Sequence, residues 1–345
     1  MSISYGGSSI TDSDGGSLKP SSSVMRNRII NGAMVIDQRN NGASVSVQGY
    51  TVDRFVILIS QASKLTVQQN AGSITPPAGF VNYLGITSSS AYSITSSDAF
   101  TLVQPIEGLN TYDLAWGTVN AKTVTLSFQV YSSLTGTFGG ALKNSANTRS
   151  YPFSYTISSA NTWTSISVTI AGDTTGTWLT NNGIGVQVKF GLGVGSTLSG
   201  TAGAWAGTNY DSATGSVSIV GTSGATFYIT GVQLEVGSSA TGYEYRQYQQ
   251  ELALCQRYYQ ILPTWSYDGY AAASGQFGYT VLPFCTQMRA APTVTTGTQT
   301  GGTSNNGGPI TPDITTAGTS MRIQSSGAGR MYYLSSTGAT AVSEL

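Results

Sequence analysis

The chain has 345 residues, enough for two ordinary domains at roughly 100–200 residues each. Only 9% of the residues are charged, 15 basic against 15 acidic, so no net field draws the protein toward nucleic acid or anionic lipid. Histidine is absent, which removes imidazole as catalytic base, proton shuttle and metal ligand together.

The 20 Tyr, 10 Phe and 5 Trp at zero net charge exclude a disordered chain. Solubility falls to Ser, Thr, Asn, Gln and Gly, a composition suited to sheets with hydroxyl-covered outer faces. Cys255 and Cys285 are the only thiols, too few for a disulfide framework or a four-cysteine zinc site, and both are expected to be free and buried.

In chain order, residues 1–25 are Ser- and Gly-rich without apolar periodicity. They read as an arm that orders only on docking to a neighbouring subunit, or as a free tail. No basic segment leads into an apolar core there, and no apolar run approaches the ~20 residues that cross a bilayer, so neither export nor membrane insertion is expected. Across residues 26–247, apolar alternation recurs between turn signals: 51–60, 124–130, 163–170, 185–190 and 225–236. Period two predicts half-buried strands. Val124, Leu126, Phe128 and Val130 share one face, as do Ile166, Val168 and Ile170, and the two faces should meet in a sandwich core. Residues 191–216 read as a long exposed loop carrying Trp205 and Tyr210. A short helical connector is predicted within 248–259, with Leu252 and Cys255 facing inward. Residues 260–345 return to strand and turn chemistry around a Gly/Asn-rich stretch at 301–308, a second and smaller β domain. No fixed-period repeat marks a solenoid or β-helix.

Aromatic residues in predicted loops are Trp116, Trp178, Trp205, Tyr210, Trp265 and Tyr267. Aromatic plates match the apolar C–H faces of a pyranose, and the predicted ligand-binding set is Trp205, Tyr210, Trp178 and Trp116; the competing reading is core packing. Asp113, Asp173 and Asp211 offer oxygens to sugar hydroxyls or calcium, against a plain turn-forming role. No local motif picks out the carboxylate pair of a glycosidase, and neither a GxxxxGK[ST] loop nor a strand-to-helix GxGxxG is present. A non-catalytic protein without metal or cofactor is expected.

Seven segments carry a family likeness: NRIING (27–32), YTVDRF (50–55), QPIEG (104–108), KTVTLSF (122–128), TGVQLEVGSSA (230–240), ELALCQRYY (251–259) and MRAAPT (288–293). Together they resemble a family of phage tail-fibre and other virion proteins common among marine and cyanobacterial viruses, over residues 26–293 with a weaker continuation to the final SEL. The resemblance implies an all-β chain whose front domain, about 29–245, is a jelly-roll β-sandwich like galactose-binding domains and carbohydrate-binding modules. Some such sandwiches hold a structural calcium, which would fall near Asn31, Asp37, Gln233 and Glu235; Gly231 and Gln233 are uncharged where an acidic ligand is wanted. The implied protein is a tail fibre or tail-associated receptor-binding component on the virion surface, a homotrimer attached to other virion proteins through its arm and binding a host-surface glycan or protein. The alternative is a capsid-decoration or head-fibre protein of the same fold with no glycan partner.

Overall fold

A computed structural model describes residues 25–302, 305–335 and 338–345; all of the expected arm except Met25 lies outside the described residues. Two antiparallel sheets pack face to face. The first runs, in spatial order, β1 (Gly49–Tyr50), β2 (Val56–Ile59), β5 (Ala99–Glu107), β10 (Ile184–Val194), β7 (Gly136–Lys143) and β8 (Ser150–Ile157). The second runs β3 (Leu65–Gln69), β4 (Leu84–Ser88), β13 (Thr226–Val236), β6 (Val124–Ser132) and β9 (Thr164–Ile170). From β2 onward the chain crosses back and forth between the sheets and returns through β13 to the middle of the second. This is the jelly-roll sandwich.

The core follows the alternation in the sequence. Val124, Leu126, Phe128 and Val130 of β6 are at most 2% exposed, and they meet Val186, Val188, Phe190 and Leu192 of β10 across the interior. On the edge strand β9 only Ile170 is fully buried; Ile166 and Val168 lie half-buried against the core. In β13 the inward phase switches from Phe227 and Ile229 to Val232 and Leu234. The switch is a bulge between Thr230 and Gln233, with Gly231 at φ +62° supplying the left-handed backbone that a bulge of this kind needs.

Residues 191–216 are not one open loop. β10 continues to Val194, and a short parallel pair, β11 (Ser199–Gly200) with β12 (Ser212–Ala213), folds the rest back onto the first sheet. The helix α1 (Tyr248–Gln256) follows the sandwich; no helix among the described residues is long and apolar enough to cross a membrane. Cys255 is buried on it, with Leu252 half-buried, against Ile30, Ile36, Tyr258 and Leu345.

Beyond α1, three runs of chain pair antiparallel, with the last run in the middle. β14 (Tyr259–Ile261), β15 (Ser266–Ala271) and β16 (Phe277–Pro283) flank it on one side. β17 (Thr293–Thr295), β18 (Gln299–Gly302) and β19 (Asn306–Ile314) flank it on the other. The middle run is β20 (Gly318–Ser325), β21 (Gly329–Ser335) and β22 (Thr340–Val342). Its small core contains Leu282, Met321, Ile323 and a Trp265–Tyr333 stack at 4.5 Å. Trp265 is therefore a core residue rather than a loop aromatic, its indole N–H donating to Thr296 O at 3.0 Å. Tyr267 lies in β15, half-buried. Cys285 is exposed, against the expectation of two buried thiols; it follows β16, where the chain leaves the ribbon for a turn.

The junction between the two parts is ionic. Arg54 is 1% exposed; it pairs with Glu344, donates to Pro105 O at 2.7 Å and stacks 3.5 Å from the Tyr258 ring centre. Arg39 reaches the other Glu344 oxygen at 2.7 Å. Glu107, 1% exposed, accepts two bonds from Arg257 at 2.6 and 2.8 Å and one from the Tyr258 hydroxyl at 2.7 Å. Glu251 on α1 accepts the Asn31 backbone N–H at 2.5 Å.

Glu344→Gln should cost about 3–5 kcal/mol in urea denaturation, because it strands a buried guanidinium. Coupling it to Arg54→Met should restore most of that loss, since the fully buried guanidinium goes with its partner, while Arg39, the other cation on Glu344, keeps its place over the Tyr259 ring. Asp53, 1% exposed, has its carboxyl pushed up by burial from an ordinary 3.8 to about 6. Between those values the folded protein holds a proton that the unfolded chain has released. The stability from this group is therefore complete below about pH 4 and lost as pH rises through about 6. Asp53→Asn should remove a drop of on the order of 2–3 kcal/mol from the stability–pH curve over that window.

Candidate functional site

Three of the four predicted site residues come together. The rings of Trp116, Trp178 and Trp205 meet edge to face with centroids 4.8, 5.3 and 5.4 Å apart, and Tyr151 adds a fourth ring 5.2 Å from Trp205. Each indole N–H is already bonded to a backbone carbonyl: Trp116 to Lys122, Trp178 to Thr175 and Trp205 to Ala171. Trp116 is 7% exposed and the other two are half-buried. The trio pins the loop carrying Trp205 to the end of the sandwich. One side remains open, where Trp116 and Trp178 wall a cavity of about 270 Å³ with Tyr112, Leu114, Leu179 and Val186. Tyr210 stands apart, its ring laid against Gly200, where any Cβ would come within 2.3 Å of it.

The three candidate aspartates are all paired with cations. Asp113 accepts Arg28 at 2.7 Å, Asp173 accepts both Arg149 nitrogens at 2.7 Å, and Asp211 accepts Lys143 at 2.5 Å and Lys189 at 2.8 Å. Burial alone would raise the Asp173 carboxyl, but the Arg149 bonds together with those from the Thr175 backbone N–H and hydroxyl outweigh it and hold it below the usual range. The residues named for calcium do not fit a cation. Asp37 accepts the backbone N–H groups of Asn40 and Gly42, and Glu235 accepts those of Thr241 and the Gln233 amide. The Asn31 amide is spent on Ile36 and Asp53 backbone. Donor hydrogens aimed at those carboxylates occupy the side a metal would need.

A second arrangement was missed by the sequence reading. On the outer face of the second sheet, β6 presents Ser127 and Gln129, and β9 presents Ser167 and Ser165 directly opposite them. Gln129 and Ser165 exchange hydrogen bonds at 2.8 and 3.0 Å. Beside this polar floor stand Phe80, Tyr243 and Tyr245, with ring centroids 5.0 to 5.8 Å apart. Phe80 lies over the bulge, where a Cβ on Gly231 would sit 2.6 Å from its ring. Tyr245 is 62% exposed, and the groove encloses about 340 Å³. Farther along the same face, Tyr131 stacks on Tyr228 at 5.4 Å with Trp163 against it.

None of the residues lining this groove carries a charge. Burial raises the Tyr243 phenol well above its ordinary value, so this wall of the groove stays uncharged. Amide and hydroxyl groups at fixed spacing beside apolar plates suit a neutral polyhydroxyl ligand. The available signal in the sequence was the outward phase of the two strands and the Tyr-x-Tyr at 243–245.

No protein-family model and no curated protein matches the chain. Solved structures similar to it include a bacteriophage CBA120 tailspike protein 4 enzymatically active domain, at 11% identity and TM-score 0.33 over 61% of this chain. The chain corresponds to 21% of that protein's length. The TmCBM61 module in complex with β-1,4-galactotriose matches at 8% identity and TM-score 0.31, over 61% of this chain and 99% of the module. The family 11 carbohydrate-binding module of a Clostridium thermocellum cellulosomal cellulase matches at 11% and 0.27, over 58% and 99%. Likenesses this distant fix no function.

Gly231→Ala should destabilise the protein by about 1–3 kcal/mol, because it places a side chain at positive φ and against the Phe80 ring. Thermal unfolding measures the loss.

Proposed function

We propose that the chain is a non-catalytic, glycan-binding protein of a phage particle, a tail fibre or tail-associated receptor-binding component that attaches to the host cell surface. The observation that carries the binding part is the uncharged groove, with Ser127, Gln129, Ser165 and Ser167 as its floor and Phe80, Tyr243 and Tyr245 as its wall. A pyranose would lie with its C–H face on Tyr245 and its hydroxyls on the Gln129–Ser165 pair, displacing the bond these two now share. The lining contains no carboxylate, whereas glycoside cleavage ordinarily takes two; this supports binding without turnover. The virion assignment is supported by the family segments in the sequence, which also favour a homotrimer on the particle surface joined to other virion proteins by its arm. Three copies would convert weak sugar contacts into useful avidity.

The test is binding of the full chain to a panel of bacterial surface polysaccharides by affinity electrophoresis, with Tyr245→Ala and Gln129→Ala alongside. Each variant should weaken binding about tenfold, the ~1.4 kcal/mol of one lost plate or hydrogen-bonding pair. A folded chain that retards in no polysaccharide, or a Tyr245→Ala variant with full affinity, overturns this reading and favours the capsid-decoration alternative.

A further inference from the structure

The outer face of the first sheet hides a cluster outside the groove. Lys143 on β7 and Lys189 on β10 are 1% and 5% exposed, and both ammonium groups point to one Asp211 oxygen. Lys143 Nζ also donates to Asn209 Oδ1. The segment carrying Asn209 is fixed on both sides. Ser150 and Ala206 exchange backbone bonds at 3.1 and 2.8 Å, Ser150 Oγ donates to Thr208 O at 2.6 Å, and the Asp211 N–H donates to Leu198 O at 2.7 Å. An amine, a carboxamide and a carboxylate are thus held in contact with the amine shielded from water.

We propose that Lys143 and Asn209 form an intramolecular isopeptide bond in the folded protein, with Asp211 as the proton carrier. The neutral Lys143 Nζ attacks Asn209 Cγ, so the Nζ–Cγ bond forms as the Cγ–Nδ2 bond breaks. Asp211 takes a proton from Nζ and passes it to Nδ2, which leaves as ammonia. One amine and one primary amide become one secondary amide plus ammonia, with no oxidant, cofactor or energy source required.

Three features of the cluster favour the step. Burial, helped by the neighbouring Lys189 ammonium, lowers the Lys143 amine to about 8, so a useful fraction is neutral and nucleophilic near neutral pH. The two lysines keep Asp211 ionised and able to accept the proton: burial pushes its carboxyl up, and the paired ammonium groups more than reverse that. Asn209 itself lies at the surface, which gives ammonia an exit, while the backbone bonds on either side remove the entropic cost of bringing the groups together. Two cations sharing one carboxylate leave an uncompensated buried charge; forming the amide removes it.

The experiment is intact-mass spectrometry of the full chain, folded and then denatured, followed by proteolysis and peptide sequencing. The expected result is a protein one ammonia lighter than its sequence, with a branched peptide joining Lys143 to position 209. Asn209→Ala, a change at an exposed residue, should restore the full sequence mass and leave the circular dichroism of a β protein intact. Full sequence mass in the folded native chain overturns the proposal. An ammonia loss confined to a linear peptide, the mark of a succinimide, overturns it equally. So does loss of one water with Lys143 joined to Asp211.

Discussion

A guanidinium withdrawn from water is costly unless its terminal nitrogens find fixed partners, and Arg54 imposes that condition on a large part of this molecule. Its planar head lies on Tyr258, one nitrogen meets Glu344, and another meets the Pro105 carbonyl. Satisfying it requires β5, the residues after α1 and the last residues of the chain to arrive at one point. Glu107, clamped by Arg257 and Tyr258, repeats the requirement with the opposite sign. Four segments, NRIING, YTVDRF, QPIEG and ELALCQRYY, converge on this junction. Residues of these four act here as architecture, whereas KTVTLSF and TGVQLEVGSSA place Ser127, Gly231 and Ala240 on the groove.

The two sheets of the sandwich have different outer faces, and that difference decides where a ligand can sit. β5 is buried on both faces from Phe100 to Glu107, because the junction covers one end of its sheet and the segment around Asp211 covers another. β9 shows the opposite pattern, exposed at Ser165, Ser167 and Thr169. An open sheet face with short polar side chains is flat and weakly hydrated at its backbone, and flanking rings turn it into a groove. The tryptophan trio sits at the margin of the covered region, where its rings serve chiefly to close the sandwich.

The strands were legible because period two survives in the sequence of β6, β9, β10 and β13. The groove was not, since it depends on register: only the pairing of Gln129 with Ser165 and Ser127 with Ser167 makes four scattered polar residues into one floor. The bulge at Gly231 also breaks the alternation that a reader of ITGVQLEV would extrapolate. Tryptophans in a Gly/Ser/Thr setting drew attention by residue type, yet a loop folded over a sheet buries such residues as readily as a strand does. Composition likewise hid the pairing of charges. With few ionic residues in the chain, it could not reveal that Asp113, Asp173 and Asp211 are each committed to a cation.

The Arg54–Glu344 pair joins residues 290 positions apart. A ribosome adding about 5–20 residues per second reaches Glu344 roughly 15–60 s after Arg54 has been made. Through that interval the sandwich strands can pair while the guanidinium still faces solvent, so the nascent protein passes through a state with an assembled front domain and an open seam. Quality-control factors and neighbouring nascent chains meet the molecule in that state, and the seam shuts only after synthesis has delivered Glu344.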